Sequence, residues 1–269
     1  MKRRVFAYPY IVWMVLFIVA PMLFIVYYAV NVNGQWTLTK LWATLTDATK
    51  WRILWISIVM AAKTTGICLL LGYPIAYILS KMKKSVAGFL SVLFFVPMWM
   101  NFVLRTYAWQ AILEYFLPDL LGLEGTLTGT EGAVLMVLVY NFLPFMVMPL
   151  YNTLSKLDPS LLEAAHDLGA NSFVTFFRVI LPLSVPGIVS GITMVFVPAI
   201  TAFTVPTLIG NGRYNLYGNE IELAFKTLSQ QGDYAVGSTL SLILLLCVLV
   251  STLIMNYFDK DQKEGGQIW

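Results

Sequence analysis

The sequence predicts an all-α, polytopic membrane protein with six transmembrane helices and both termini in the cytoplasm. Three observations carry that prediction. First, 59% of the 269 residues are hydrophobic and only 12% charged, with a mean hydropathy of +0.77, whereas soluble domains are about a quarter charged. Second, six stretches are apolar over the ~20 residues that a helix needs to cross the hydrocarbon: 8–30, 53–80, 86–116, 133–154, 184–209 and 235–258. Third, Lys and Arg alternate in density between those stretches. With the N-terminus inside, the inner segments hold Lys2, Arg3, Arg4, Lys81, Lys83, Lys84, Lys156, Arg178, Lys260 and Lys263, against Lys40, Lys50, Arg52, Arg213 and Lys226 outside. Cytoplasmic loops carry the cationic excess, so a multi-pass protein of the cell (inner) membrane is expected. A formal charge of +3, thinly scattered, excludes a nucleic-acid partner, and the hydrophobicity excludes disorder.

Each element follows in order. Met1-Lys2-Arg3-Arg4 precedes an apolar run to position 30, too long for a leader's apolar region and closed by no small-x-small site, so it reads as a retained first span. With the outer loop 31–52 it makes a first unit, 1–52, ahead of a transmembrane core over 53–258 that includes the inner loop 155–183, and a cytoplasmic tail over 259–269. The second stretch holds Lys63, Cys68 and Pro74, the third Pro97 and Arg105, the fourth Pro144 and Pro149, and the fifth Pro198 and Pro206. Prolines are tolerated in a bundle where neighbouring groups satisfy the freed carbonyls. Three stretches exceed the minimum, so tilt or helix beyond the bilayer is expected. Cys68 and Cys247 have no CxxC spacing and read as small buried hydrophobes.

The inner loop 155–183 is the most patterned non-membrane segment. Asp158 is an N-cap candidate with Pro159 at the first helical position. Leu161, Ala164, Ala165 and Leu168 then share one face, and Glu163, His166 and Asp167 the other. Gly169 suits a left-handed helix end. A second helix carries Phe173, Phe176, Phe177 and Ile180 at i, i+3, i+4 and i+7, and is expected to stop at Pro182. Such helices lie on lipid head groups when their polar face is basic; here that face is acidic, which suits a protein partner better.

Glu163-Ala164-Ala165, three residues, Gly169, nine residues, Val179, one residue and Leu181-Pro182 resembles the EAA loop of type I ABC importer permeases. The resemblance implies that family's transmembrane fold and a coupling helix seated in an ATPase groove, with Glu163, Ala164, Ala165, Gly169 and Ala170 making or shaping the contact. It also implies a second homologous permease, two ATPase subunits that bind ATP and Mg, an extracytoplasmic substrate-binding protein, and alternating access. Tyr73-Pro74-Ile75-Ala76-Tyr77, Val96-Pro97-Met98-Trp99, Arg105-Thr106-Tyr107, the run 143–151 and the outer stretch 210–219 are similar to the spermidine/putrescine branch of the family. Ile56-Ser57 departs from the Asn-Ser of many relatives. No GxxxxGK[ST], HExxH or GxSxG occurs, and His166 is the one histidine, so this chain is expected to need no cofactor of its own and to perform no catalysis.

On cargo the residues leave alternatives open. The outer segments hold eight carboxylates against five cations, a net −3, which favours an incoming cation. Trp99, Tyr107 and Trp109, with Trp42 beyond, offer faces for cation–π contact or form an interfacial belt, and Glu220 and Glu222 are candidate path carboxylates. Lys63 and Arg105 cut the other way, because charged groups inside spans are costly and an unpaired cation suits an anion path. The resemblance favours a polyamine; an anion importer and a secondary transporter needing no ATPase remain alternatives.

Overall fold

The computed structural model describes residues 7–265 apart from 33, 123 and 227–232. Lys2, Arg3 and Arg4, and the end of the tail 259–269, lie outside the described residues. The first span comprises α1 (Ala7–Met14), a π turn (Val15–Val19) and α2 (Ala20–Val30). A two-residue hairpin, β1 (Asn31–Val32) with β2 (Gln35–Trp36), and α3 (Thr39–Thr46) lead to α4 (Ala48–Lys81). Then come α5 (Lys84–Phe95), α6 (Phe102–Ala111), α7 (Leu117–Leu121) and α8 (Glu131–Leu154). The chain closes with α9 (Pro159–Asp167), α10 (Ser172–Thr175), α11 (Leu181–Ile200), α12 (Thr204–Ile209), α13 (Tyr217–Lys226) and α14 (Tyr234–Gly265). The molecule is thus all-α and multi-span. Among the described residues five helical runs, Pro9–Val30, Ala48–Lys81, Glu131–Leu154, Ser172–Ile200 and Tyr234–Met255, are long and apolar enough to cross a membrane.

The third apolar stretch, 86–116, forms a bent pair of helices, and the apolar runs number six when that pair is taken as one span. Lys84–Trp99 and Phe102–Leu121 meet at 86°. Pro97 lacks the N–H that would continue the ladder, the helix tightens into a 3₁₀ turn over Val96–Trp99, and Asn101 caps the next helix by accepting from the Val103 and Leu104 N–H groups at 2.9 and 3.3 Å.

The fifth span also differs at both ends. Pro182 does not stop the loop's second helix, because Ser172–Ile200 is one run. A π turn over Phe176–Ile180 lets the Leu181 N–H reach back to the Phe176 carbonyl, widening the turn where the pyrrolidine ring would strike a carbonyl. At the far end the run stops at Ile200 and α12 is separate, although 184–209 is continuously apolar. The Asn219 side-chain amide donates to the Phe203 carbonyl at 3.0 Å and to Thr207 Oγ1 at 2.6 Å, and Gly218 lies so close that an added Cβ would sit 2.8 Å from the Thr201 and Ala202 carbonyl oxygens. The returning chain satisfies the break.

The core is the face-to-face packing of α4, α8 and α11, which buries Met60, Cys68, Leu138, Met146, Leu150 and Val195. Helices associate in lipid by close packing rather than by a hydrophobic drive, and glycines supply the closeness here. A Cβ on Gly187 would meet Thr153 Oγ1 at 2.7 Å, and one on Gly191 would meet Met146 Sδ at 2.5 Å. Cys68 is buried, as expected, with its thiol on the Val139 carbonyl. By contrast the first span rests mainly on α14, and Ala29 is its buried residue.

Candidate functional site

The loop 158–170 forms as its residues dictate. Asp158 accepts from the Ser160 N–H at 3.0 Å, with Pro159 in the first turn; that bond holds the Asp158 carboxyl below its ordinary pKa. Gly169 has φ +79. Its N–H donates to the His166 carbonyl at 2.9 Å, and the Ala170 N–H donates to the Ala165 carbonyl at 3.0 Å. This paired closure is a Schellman motif, so Ala165, Gly169 and Ala170 are linked by the helix end itself. Glu163, Ala164 and Gly169 are exposed and Ala165 and Ala170 half-buried. Leu168 stands 89% exposed, an apolar side chain with nothing of its own chain over it.

The expected stripe beyond the bend divides. Ile180 is buried, and Phe176 lies edge-on to the Tyr73 and Tyr77 rings at 5.7 and 6.1 Å. Phe173 and Phe177 pack on each other at 4.6 Å and stay exposed. Phe176 therefore anchors the loop to α4 and Ile180 joins the core, while Phe173 and Phe177 stay beside α9 on the exposed side. Tyr73 Oη and Ser184 Oγ, 2.9 Å apart, tie α4 to α11 beside that anchor.

At the opposite end the candidate carboxylates are held by lysines. Lys50 pairs with Glu220, Lys40 with Asp233 and Lys63 with Glu131. Glu222 pairs with Lys226 at 2.6 Å and accepts from Thr207 at 3.3 Å. Glu220 and Glu222 lie on a helix, two residues apart, so they point to different sides rather than acting as a shared pair. Only 17% of the Glu220 side chain is exposed. Lys63, expected either to pair or to face an anion, pairs.

The three aromatic candidates are not brought together. Trp99 is 80% exposed at the break, Tyr107 is exposed on α6, and Trp109 turns inward against Tyr140 at 5.0 Å. Arg105 has a structural occupation: its Nη1 donates to the Pro97 carbonyl at 3.0 Å, across the break, and its guanidinium lies over the Phe102 and Tyr140 rings at 5.8 and 5.7 Å. Helix-end carbonyls at membrane depth need such donors.

Some residues that matter escaped sequence reasoning. Ser57, at the departure from the Asn-Ser pattern, accepts the Tyr217 N–H at 2.7 Å, so α4 caps the segment that leads into α13. Asn219 bonds three groups at the broken end of the fifth span. Asn141, buried on α8, leaves both side-chain polar atoms without a partner. The available signal was a polar residue within apolar sequence, which marks a buried polar contact more often than not.

A profile described as "Binding-protein-dependent transport system inner membrane component" matches residues 69–264. The chain is 39% identical over 225 residues to the spermidine/putrescine transport system permease protein PotB of Haemophilus influenzae, covering 81% of this chain and 77% of that one. With PotB of Escherichia coli it shares 36% identity, over 95% of this chain and 96% of that one. A solved bacterial ABC transporter that imports the acidic polysaccharide alginate has the same fold: TM-score 0.74 at 16% identity, with 97% of this chain and 96% of that chain covered. An amino acid ABC transporter is less similar, at TM-score 0.54 over 79% of this chain. A patterned loop beyond α8, a bundle of five to six apolar spans and a match over most of the length agree: the chain belongs to the family of binding-protein-dependent transport system inner membrane components, as a permease subunit of an ABC importer.

Proposed function

We propose that the cargo is a polyamine of the spermidine/putrescine class. The observation that carries this is identity of 36–39% to PotB permeases over most of both chains. Two further observations support a cation over an anion. Lys63 is neutralised by Glu131, and Arg105 is committed to the Pro97 carbonyl. Glu220 and Glu222 already hold alkylammonium groups of lysines. An incoming polyamine would exchange like for like with those lysines, then pass the exposed ring faces of Trp99 and Tyr107, where cation–π attraction is worth about 0.5–2 kcal/mol.

In this reading both termini are cytoplasmic and α9 enters a groove on an ATPase subunit. Glu163, Ala164, Ala165, Gly169 and Ala170 form the contact, and Leu168, Phe173 and Phe177 cover apolar surface there. A second, related permease completes the pathway, two ATPase subunits supply ATP hydrolysis, and an extracytoplasmic binding protein delivers cargo to the face bearing α13. Support for the contact is the exposure of an ordered, capped helix with an acidic polar face. The test is uptake by the reconstituted importer of labelled spermidine, putrescine and an oxyanion, with and without ATP. ATP-driven polyamine uptake is expected. Oxyanion uptake without polyamine uptake overturns the cargo, and gradient-driven flux without an ATPase overturns the assembly.

A further inference from the structure

The rings beside α9 form a continuous series that ends inside the bundle. Phe173 meets Phe177 at 4.6 Å, Phe177 meets Phe176 at 5.1 Å, and Phe176 stands edge-on to Tyr73 and Tyr77. The series thus passes from exposed Phe173 to buried Tyr73. Tyr73 Oη lies 2.9 Å from Ser184 Oγ, whose hydroxyl donates to the Leu181 carbonyl at 2.8 Å. A buried hydrogen bond therefore fixes the last ring. Phe176 itself opens a π turn, a distortion that recurs at functional sites.

One route from this loop across the membrane is covalent. It runs along α11 and stops at the break after Ile200. A second route steps from Phe176 to α4, a single helix from Ala48 to Lys81. At 1.5 Å per residue α4 is about 50 Å long, enough to span a bilayer with its head groups. Its outer part holds α13 at two points: Ser57 accepts the Tyr217 N–H at 2.7 Å, and Lys50 pairs with Glu220. Ser57 and Tyr73 are about 24 Å apart along the helix. Packed interiors are barely compressible and transmit displacement. The clamp at one end and the clasp at the other are therefore mechanically joined.

We propose that Phe176 is a positioning residue that carries displacement of the loop into α4, and that α4 passes it to the Ser57–Tyr217 clasp on the outer face. A ring suits the task because it is rigid and has two side-chain torsions. Both ends of the bundle then bias one shared element, which is the physical requirement for coupling between distant sites. This role rests on the reading that α9 docks on an ATPase, and it adds which span the docked loop moves.

The experiment is hydrogen exchange of the segment 214–222 in the assembled importer, read by mass spectrometry with and without a non-hydrolysable ATP analogue. In the unaltered importer the Tyr217 amide rate should shift about ten-fold with the analogue, the factor that one hydrogen bond supplies. Phe176→Ala should abolish the shift while the ATPase subunits stay bound. Phe176→Leu keeps an apolar group of similar size, so it should fold even if the Ala variant does not, and it should reduce the shift. Tyr73→Phe keeps the ring, deletes the bond to Ser184, and should weaken the response. A merely structural role would lower Tm and leave the shift intact. A full shift in Phe176→Leu overturns the proposal, as does a rate that ignores the analogue in an unaltered importer holding its ATPase subunits. Release of those subunits by Phe176→Leu alone would put Phe176 in the docking contact and overturn its positioning role. Failure of the unaltered chain to retain an ATPase would instead overturn the docking reading, and this inference with it.

Discussion

At Gly169 nothing lies within 4 Å of where a Cβ would be built, and φ is +79, so a side chain there meets backbone strain and no clash. Gly169→Val should cost about 1–2 kcal/mol, and Gly169→Asn distinctly less, because Asn tolerates the left-handed region. Transport per ATP hydrolysed in proteoliposomes should therefore fall in the Val variant and largely persist in the Asn variant, with both proteins inserting. Equal coupling in the two would remove the bend from the mechanism. At the other end, Lys50 and Glu220 make opposite predictions. Glu220→Gln should raise the KM for spermidine, whereas Lys50→Gln frees the carboxylate and should lower it; the ion pair itself is worth about 1 kcal/mol or less. Unchanged KM in both variants at low ionic strength would place Glu220 on the loop surface. Arg105→Gln deletes the donor that spans the broken helix, about 1.5–3 kcal/mol for a charged hydrogen bond. Its expected signature is a lower Tm with KM for polyamine unchanged, and the reverse pattern would return Arg105 to the transport path.

Among the elements, α8 and α11 approach most closely where Gly187 and Gly191 replace side chains. Gly187→Val must displace Thr153 and the Pro149 carbonyl, 2.7–3.0 Å from the added Cβ, and overpacking of that kind costs about 1–3 kcal/mol. Gly66 on α4 has nothing within 4 Å, so Gly66→Ala should gain up to about 1 kcal/mol from helix propensity. Thermal unfolding in detergent should separate the two variants in sign; a Tm for Gly187→Val equal to that of the unaltered chain would mean that the helices repack freely. The third and fifth spans show the limit of hydropathy at this scale. An apolar run reports which residues avoid water, not whether one helix contains them all. Pro97 and Asn101 break the third span, and the partnership of Phe203, Thr207 and Asn219 makes the break after Ile200 sustainable. The local loop was more legible. Asp158, Pro159 and Gly169 specify their own caps through backbone chemistry confined to a few residues, and the structure has all three where spacing puts them.

For the whole molecule, the distribution of Lys and Arg among the loops predicts sidedness. A membrane-impermeant maleimide applied from outside should label Trp36→Cys and spare Leu168→Cys in intact cells, and label Leu168→Cys after permeabilisation; external labelling of Leu168→Cys would invert the topology. ATPase binding should further protect Leu168→Cys in the assembled importer. The sequence by itself determined the solvent of this protein, its multi-span, all-α character and the shape of the loop at 158–170. Those properties follow from hydropathy over a helix length and from caps that are local. What only the tertiary structure decided is how the charges and breaks are satisfied. Lys50 meets Glu220, 170 positions away, and Ser57 meets Tyr217, 160 positions away; no local pattern encodes such distances. The same holds for Arg105, whose charge suggested an anion path in isolation. Its partner is the Pro97 carbonyl eight residues back, within reach only because the span folds through 86° and leaves that carbonyl exposed to a donor.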